Sequence, residues 1–233
     1  MLVSLTCQYA LAVYRTLKWA YTHGMAAMQP PPAASSNPTV TLDLVREFMN
    51  SIDVEEATDS LSSPGALEAW FAERRAQGEP GATGEWLAAQ IEGPVTRAQF
   101  ERALALRNAL RALARANHEH EVDREALATV NRIAAELPLT VEVRAPGDAR
   151  LVAAGDGVDG FLAGVLAAVF LAIQDGTWNR VKICASDTCQ WVFYDTSKNR
   201  SGTWCSMRVC GNRAKVRKYQ QRRKAREQGA GDE

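Results

Sequence analysis

The chain has 233 residues, 46% of them hydrophobic, with 27 basic and 27 acidic side chains and a formal net charge of zero. The zero averages two opposites: residues 1–178 carry 14 Lys and Arg against 22 Asp and Glu, net −8, whereas residues 179–226 carry 13 against 2, net +11. Such a chain is expected to be a soluble globular protein, with no run near the ~18 consecutive apolar residues of a membrane span and no secretory signal, because Arg15 and Lys18 follow the apolar stretch instead of preceding it.

In chain order, residues 1–38 read as an N-terminal extension ending in a Pro-rich linker, Gln29 to Pro38. Met25 and Met28 are alternative starts. Residues 39–178 read as a mainly helical body that opens with TVTLDLVREFMNSID. A helix is predicted at SSPGALEAWFAERR, with Ser63 as N-cap, Pro64 in its first turn, and Trp70 and Phe71 facing inward. The loop GEPGATG separates it from a stretch around Trp86 to Ile91. The longest helical pattern begins after Thr96 and carries Phe100, Leu104, Leu106, Leu110 and Leu113 as an apolar stripe. Its arginines 102, 107, 111 and 115 are expected in solvent or paired with carboxylates of the body, and His118 and His120 at its end are expected in solvent.

A second helix, DREALATVNRIAAEL, is expected to run antiparallel to the first. LTVEVRAPGDARLVAAG then alternates with period two about Pro146-Gly147-Asp148, which predicts a β-hairpin. Residues 161–176, apolar on nearly all sides, read as the central buried helix. The body offers no catalytic constellation, so the chain is not expected to be an enzyme.

Residues 179–226 hold four of the five cysteines. Cys184 and Cys189, then Cys205 and Cys210, form two Cys-x4-Cys pairs fifteen residues apart. Two facing turns with four thiols match a tetrahedral zinc site, and four protein ligands leave no position for substrate, so one structural Zn2+ is predicted. A segment of this size cannot build a sufficient core by itself, and a metal supplies the missing stability. Trp191, Phe193 and Trp204 are expected to pack around the metal as a miniature core. Clustered cysteines and the lack of a disulfide framework point to a reducing cytoplasm.

This segment resembles the CGNR zinc-finger family in C-x4-C-x-W-x-F-x-D (Cys184 to Asp195), S-K-N-R (Ser197 to Arg200), and W-C-S-M-x-x-C-G-N-R-x-K (Trp204 to Lys215). The arrangement of the body, with LDLVREFMNSID and the L-R-N-A-L-R helix, is similar to the ABATE domain that accompanies this finger in bacteria. The resemblance implies an α+β body, mainly helical with a small hairpin, and a treble-type or ribbon-like zinc finger followed by a basic helix. It also implies a stress-related transcriptional regulator or RNA-binding protein, with the four cysteines as metal ligands. Lys198 and Gly202 stand where that family often has Arg, which would weaken a phosphate contact.

Gly211 and Asn212 suit a tight turn and an N-cap, and a basic helix follows them. Nucleic acid is the expected partner, DNA ahead of RNA, with counterion release as the driving force. The candidate contacts are Lys198, Asn199, Arg200, Arg208, Asn212, Arg213, Lys215, Arg217, Lys218, Arg222 and Arg223. The alternative is a zinc-stabilised protein-interaction or RNA-binding module whose helical body senses a small molecule or protein. No membrane partner is expected, and residues 227–233 read as a disordered tail.

Overall fold

The computed structural model describes residues 41–76, 94–119, 121–146 and 148–229. The predicted N-terminal extension and linker, the Gly/Pro-rich loop, the Trp86 to Ile91 stretch and His120 lie outside these residues.

Side-chain caps start four of the helices, two of them, at Ser63 and Thr96, where the sequence places them. Helix α1 (Leu42–Met49) begins at Thr41, whose side chain accepts the Leu44 amide, and it buries Leu44, Val45, Phe48 and Met49. A short hairpin follows, β1 (Ile52–Asp53) against β2 (Thr58–Asp59), its turn held by Asp53 Oδ1 accepting the amides of Glu55 and Glu56. Helix α2 (Pro64–Ala76) has Ser63 Oγ accepting the Ala66 amide, and Trp70 and Phe71 are buried as predicted.

Helix α3 (Arg97–Glu119) opens on a reciprocal cap, in which the Thr96 amide donates to Gln99 Oε1 and the Gln99 amide to Thr96 Oγ1. Its buried face is rotated from the predicted stripe. Ala103, Leu106, Leu110 and Ala114 are buried, while Phe100, Leu104 and Leu113 are only partly covered. That face also includes Arg107 and Arg111, which are 3% and 9% exposed. Arg107 pairs with the body carboxylate Asp59 as expected, whereas Arg111 instead donates to the carbonyls of Met49 and Gln190. His118 is partly buried. Helix α4 (Arg124–Glu136), capped by Asp123, packs along α3.

The predicted hairpin is present as β3 (Leu139–Ala145) and β4 (Asp148–Ala153), antiparallel from Leu139↔Ala153 to Ala145↔Asp148. Its alternation does not mark a buried face, since Val141 and Val143 are 68% and 72% exposed. Helix α5 (Gly157–Gln174) starts four residues before the predicted segment. Its 18 residues are apolar enough to cross a membrane by length and composition, and they form the centre of this fold. Phe161 lies edge-on to Phe48, Phe71 and Trp70 at 5.4, 4.9 and 5.8 Å between ring centroids.

After α5, a 3-10 turn (Trp178–Arg180) delivers β5 (Val181–Ile183), which pairs antiparallel with β6 (Val192–Tyr194). Trp178, Val181, Ile183 and Val192 join the same hydrophobic cluster as α1, α3 and α5. The cysteine segment therefore has no core of its own. The predicted miniature core is corrected accordingly: Trp191 is 37% exposed, Phe193 and Trp204 are partly covered, and the buried residue among them is Val192. A π-helical turn (Met207–Gly211) leads into the last helix, α6 (Asn212–Gly229).

Candidate metal centre and basic helix

The first cysteine pair is built on the β5–β6 hairpin. The Cys184 amide donates to the Trp191 carbonyl at 2.9 Å, prolonging the ladder, and the amides of Cys189 and Gln190 both donate to the Ser186 carbonyl. Gln190 completes this turn with φ +50°. The second pair is carried by the π-helical turn. Ser206 caps it by accepting the Val209 amide, and the Gly211 amide returns to the Ser206 carbonyl at 3.1 Å. The Ala185 amide joins the two halves through the Thr203 carbonyl.

The sulfur atoms of Cys184, Cys189, Cys205 and Cys210 all lie within 4.8 Å of one another. The Cys189–Cys205 and Cys205–Cys210 Sγ separations are 3.6 and 3.7 Å. A regular tetrahedron of sulfurs at about 2.3 Å from zinc has edges of about 3.8 Å, so the donor set fits the ion. Its electrostatics fit as well. Burial raises the Cys184 thiol, but the amides of Cys205 and Ser186 and the neighbouring thiols stabilise its thiolate and bring it below the ordinary value. Burial, Cys189 and the Cys184 charge push Cys205 far up, and burial with Cys189 and Cys184 pushes Cys210 up to about 11. Four thiolates so close cannot ionise together without a cation among them. Cys184, Cys189, Cys205 and Cys210 hold one structural zinc, with no ligand position left for catalysis.

Two supports of this centre are not evident from the sequence. Lys182 and Asp195, 3% exposed each, form a buried ion pair at 2.8 Å. Lys182 also donates to the Arg200 carbonyl, while Asp195 accepts the amides of Ser197 and Gly202. Gly202 has no room for a side chain, because a Cβ would sit 2.5 Å from Asp195 Oδ1. Arg180 donates to the carbonyls of Asp195 and Ser197. Two cations counted in the basic end are thus structural. The single sequence signal was Asp195 two residues before Ser197, a spacing that favours a side-chain turn.

The second support comes from the body. Asn50 pairs with β6 as a strand would, its Nδ2 donating to the Val192 carbonyl and its Oδ1 accepting the Val192 amide, both at 2.8 Å. Arg111 donates to the carbonyls of Met49 and Gln190, and Arg115 to Gln190 Oε1. Burial and the charges of Arg107 and Arg115 lower Arg111 to about 10, so it remains a cation at neutral pH.

Two family models match this sequence. One is the ABATE family, described as "Putative stress-induced transcription regulator", over residues 42–174, more than half of the chain. The chain belongs to the ABATE family. The other is the CGNR zinc finger, over residues 180–223, which takes in all four ligands and most of α6. No curated protein matches the chain. This ABATE-family protein is therefore a zinc-binding member of a regulator family.

The predicted nucleic-acid contacts fall into two places. Lys198, Asn199 and Arg200 are exposed on the turn held by Asp195. Arg208, Asn212, Arg213, Lys215, Arg217, Lys218, Arg222 and Arg223 are exposed on the π-helical turn and α6. Arg208, Asn212, Arg213 and Arg217 line one shallow groove with Val209 and Val216. Arg213 also forms an ion pair with Glu55 of the β1–β2 turn. Asn212 is not an N-cap; it is helical, with φ −67° and ψ −44°, because Ser206 performs that role one turn earlier. Gly211 packs closely under Met207 and Trp204: a Cβ would lie 2.8 Å from Met207 Sδ and 3.2 Å from Trp204 Cδ1, so the exposed Met207 side chain would have to move aside.

Proposed function

We propose that this protein is a cytoplasmic, non-enzymatic, stress-related transcriptional regulator that binds duplex DNA through α6. The observation that carries the reading is where the zinc centre leaves the chain. Immediately after the last ligand, Cys210, a helix of 18 residues projects with six basic residues from Arg213 to Arg223, all exposed, and no carboxylate among them. Like charges so close repel each other and are relieved by a polyanion that gives up its counterions. The zinc holds the helix at a fixed angle on the body, and the body is the part available to sense a signal.

The test is electrophoretic mobility shift of the zinc-loaded protein with random-sequence duplex DNA and with structured RNA, each across a salt series. About six phosphate contacts give a log-log salt slope near −5 on duplex DNA. Absence of a salt-dependent shift with either nucleic acid overturns the reading, and a shift confined to RNA replaces DNA with RNA.

A further inference from the structure

Within that DNA-binding reading, on which this inference rests, we infer that α6 reads base sequence in the major groove through one edge, Asn212, Val216 and Tyr219, and that its preferred site contains A·T pairs. At about 100° per residue, Asn212, Val216, Tyr219 and Arg223 fall within an arc of about 60°. Both sides of this edge are basic. Arg213 and Arg217 lie on one flank, and Lys215, Lys218 and Arg222 on the other.

The edge itself is not a buried face. Val216 is 53% exposed and Tyr219 is 68% exposed, on a helix rich in Arg, Lys and Gln. Apolar side chains held in water between two rows of cations match a duplex groove, where phosphates border both sides and base edges form the floor. A protein partner would need two acidic rows with a matching gap.

Dimensions select the groove. A helix with its side chains is about 10–12 Å across, which the major groove of B-form DNA at about 12 Å admits and the minor groove at about 6 Å does not. The corresponding groove of duplex RNA is deep and narrow. From Asn212 to Arg223 the edge runs about 16 Å, close to five base pairs. Asn pairs in two-point fashion with the adenine edge, and an apolar side chain contacts the thymine methyl. Asn212 and Val216 stand about 6 Å apart along the helix and so address base pairs about two steps apart.

The experiment is selection from a random-core duplex library with full-length zinc-loaded protein, comparing wild type with Asn212→Ala, Val216→Ala and Lys218→Gln. Zinc content and circular dichroism confirm that each variant folds. Wild type is expected to enrich a short motif containing A·T pairs. Asn212→Ala loses discrimination of about 5- to 150-fold at one position. Replacing thymine by uracil in the selected site weakens wild type and leaves Val216→Ala unchanged. Lys218→Gln weakens all sequences equally and reduces the salt slope by about 1. If wild type binds with salt dependence but enriches no motif, or if both edge variants keep the wild-type motif, the inference falls while DNA binding stands. Preference for structured RNA over duplex DNA in direct competition also overturns it, and absence of binding overturns both.

Discussion

Two helices carry arginines at one-turn intervals and use them in opposite ways. In α3, Arg107 is buried and grips Asp59 with both terminal nitrogens at 2.7 and 2.9 Å while donating to Ser51 Oγ. Arg111 and Arg115 reach the first cysteine turn through Gln190. In α6, Arg217 and Arg222 with Lys215 and Lys218 are exposed, and Arg213 is tied to the body by Glu55. Residue type and spacing are shared, so the surroundings decide the role. The arginines of α3 face carbonyls and a carboxylate supplied by the fold and act as framework, whereas α6 faces water. The zinc lies between the two helices, one pair of ligands anchored by α3 and the other carrying α6.

Metal removal tests this division most severely. Structural zinc contributes about 10–16 kcal/mol in finger peptides. Because Val181, Ile183 and Val192 sit in the main core, the loss will not stay local. A strong chelator, or Cys205→Ser, is expected to lower the melting temperature of the whole body and expose Trp178, read by calorimetry and tryptophan fluorescence. A body transition unchanged by chelation would make the finger a separate module and break the comparison.

Next in size is the buried pair under the finger. Asp195→Asn leaves Lys182 without its counterion and is expected to cost about 3–5 kcal/mol at neutral pH in urea unfolding. The pH dependence has a defined sign. Burial raises the Asp195 carboxyl, but Lys182, Ser197 and the Gly202 amide more than offset this and hold it well below the ordinary range. A carboxyl depressed in the folded state contributes fully above about pH 4, and that contribution is lost as the pH falls toward the folded value. The stability gap between wild type and Asp195→Asn should therefore be constant near neutrality and narrow below about pH 4.

What could be read from the sequence was what local chemistry encodes. Thr96 and Ser63 cap their helices because a cap needs only the next three residues, and two Cys-x4-Cys turns bring thiols together because each turn is self-contained. Arg107 is expected in solvent or on a carboxylate, but its partner Asp59, 48 residues away, cannot be named from the sequence, and nothing local foretells the carbonyl of Gln190, 79 residues away, that takes up Arg111. Lys182 alternates in V-K-I like a solvent-facing residue and is buried only because the 197–202 loop folds over it. The hairpin was legible from its alternation, but the alternation does not say which face is covered: Val141 and Val143 are exposed among the described residues.

Arg107→Met should cost about 3 kcal/mol, the low end for a broken buried pair, because Asp59 keeps 29% of its side chain in water. The same chemistry on α6 should give nearly nothing. Neutralising Lys215, Arg217, Lys218 and Arg222 to Gln together breaks no hydrogen bond or ion pair among the described residues, and each exposed change is expected within about 0.5 kcal/mol. The sign of the small remainder is informative. Arg213 with Arg217 and Lys218 with Arg222 are like charges four residues apart, a repulsion of about 0.2–0.5 kcal/mol each that salt screens over about 8–10 Å. Wild-type helicity should therefore rise with salt between low and physiological ionic strength, and the quadruple variant should start higher and stay flat, as measured by far-ultraviolet circular dichroism. Arg107, shielded from water, should be indifferent to the same titration. A wild-type helicity that does not change with salt and equals that of the quadruple variant would mean that α6 is already neutralised within the protein, and its cations would then belong to the framework as those of α3 do.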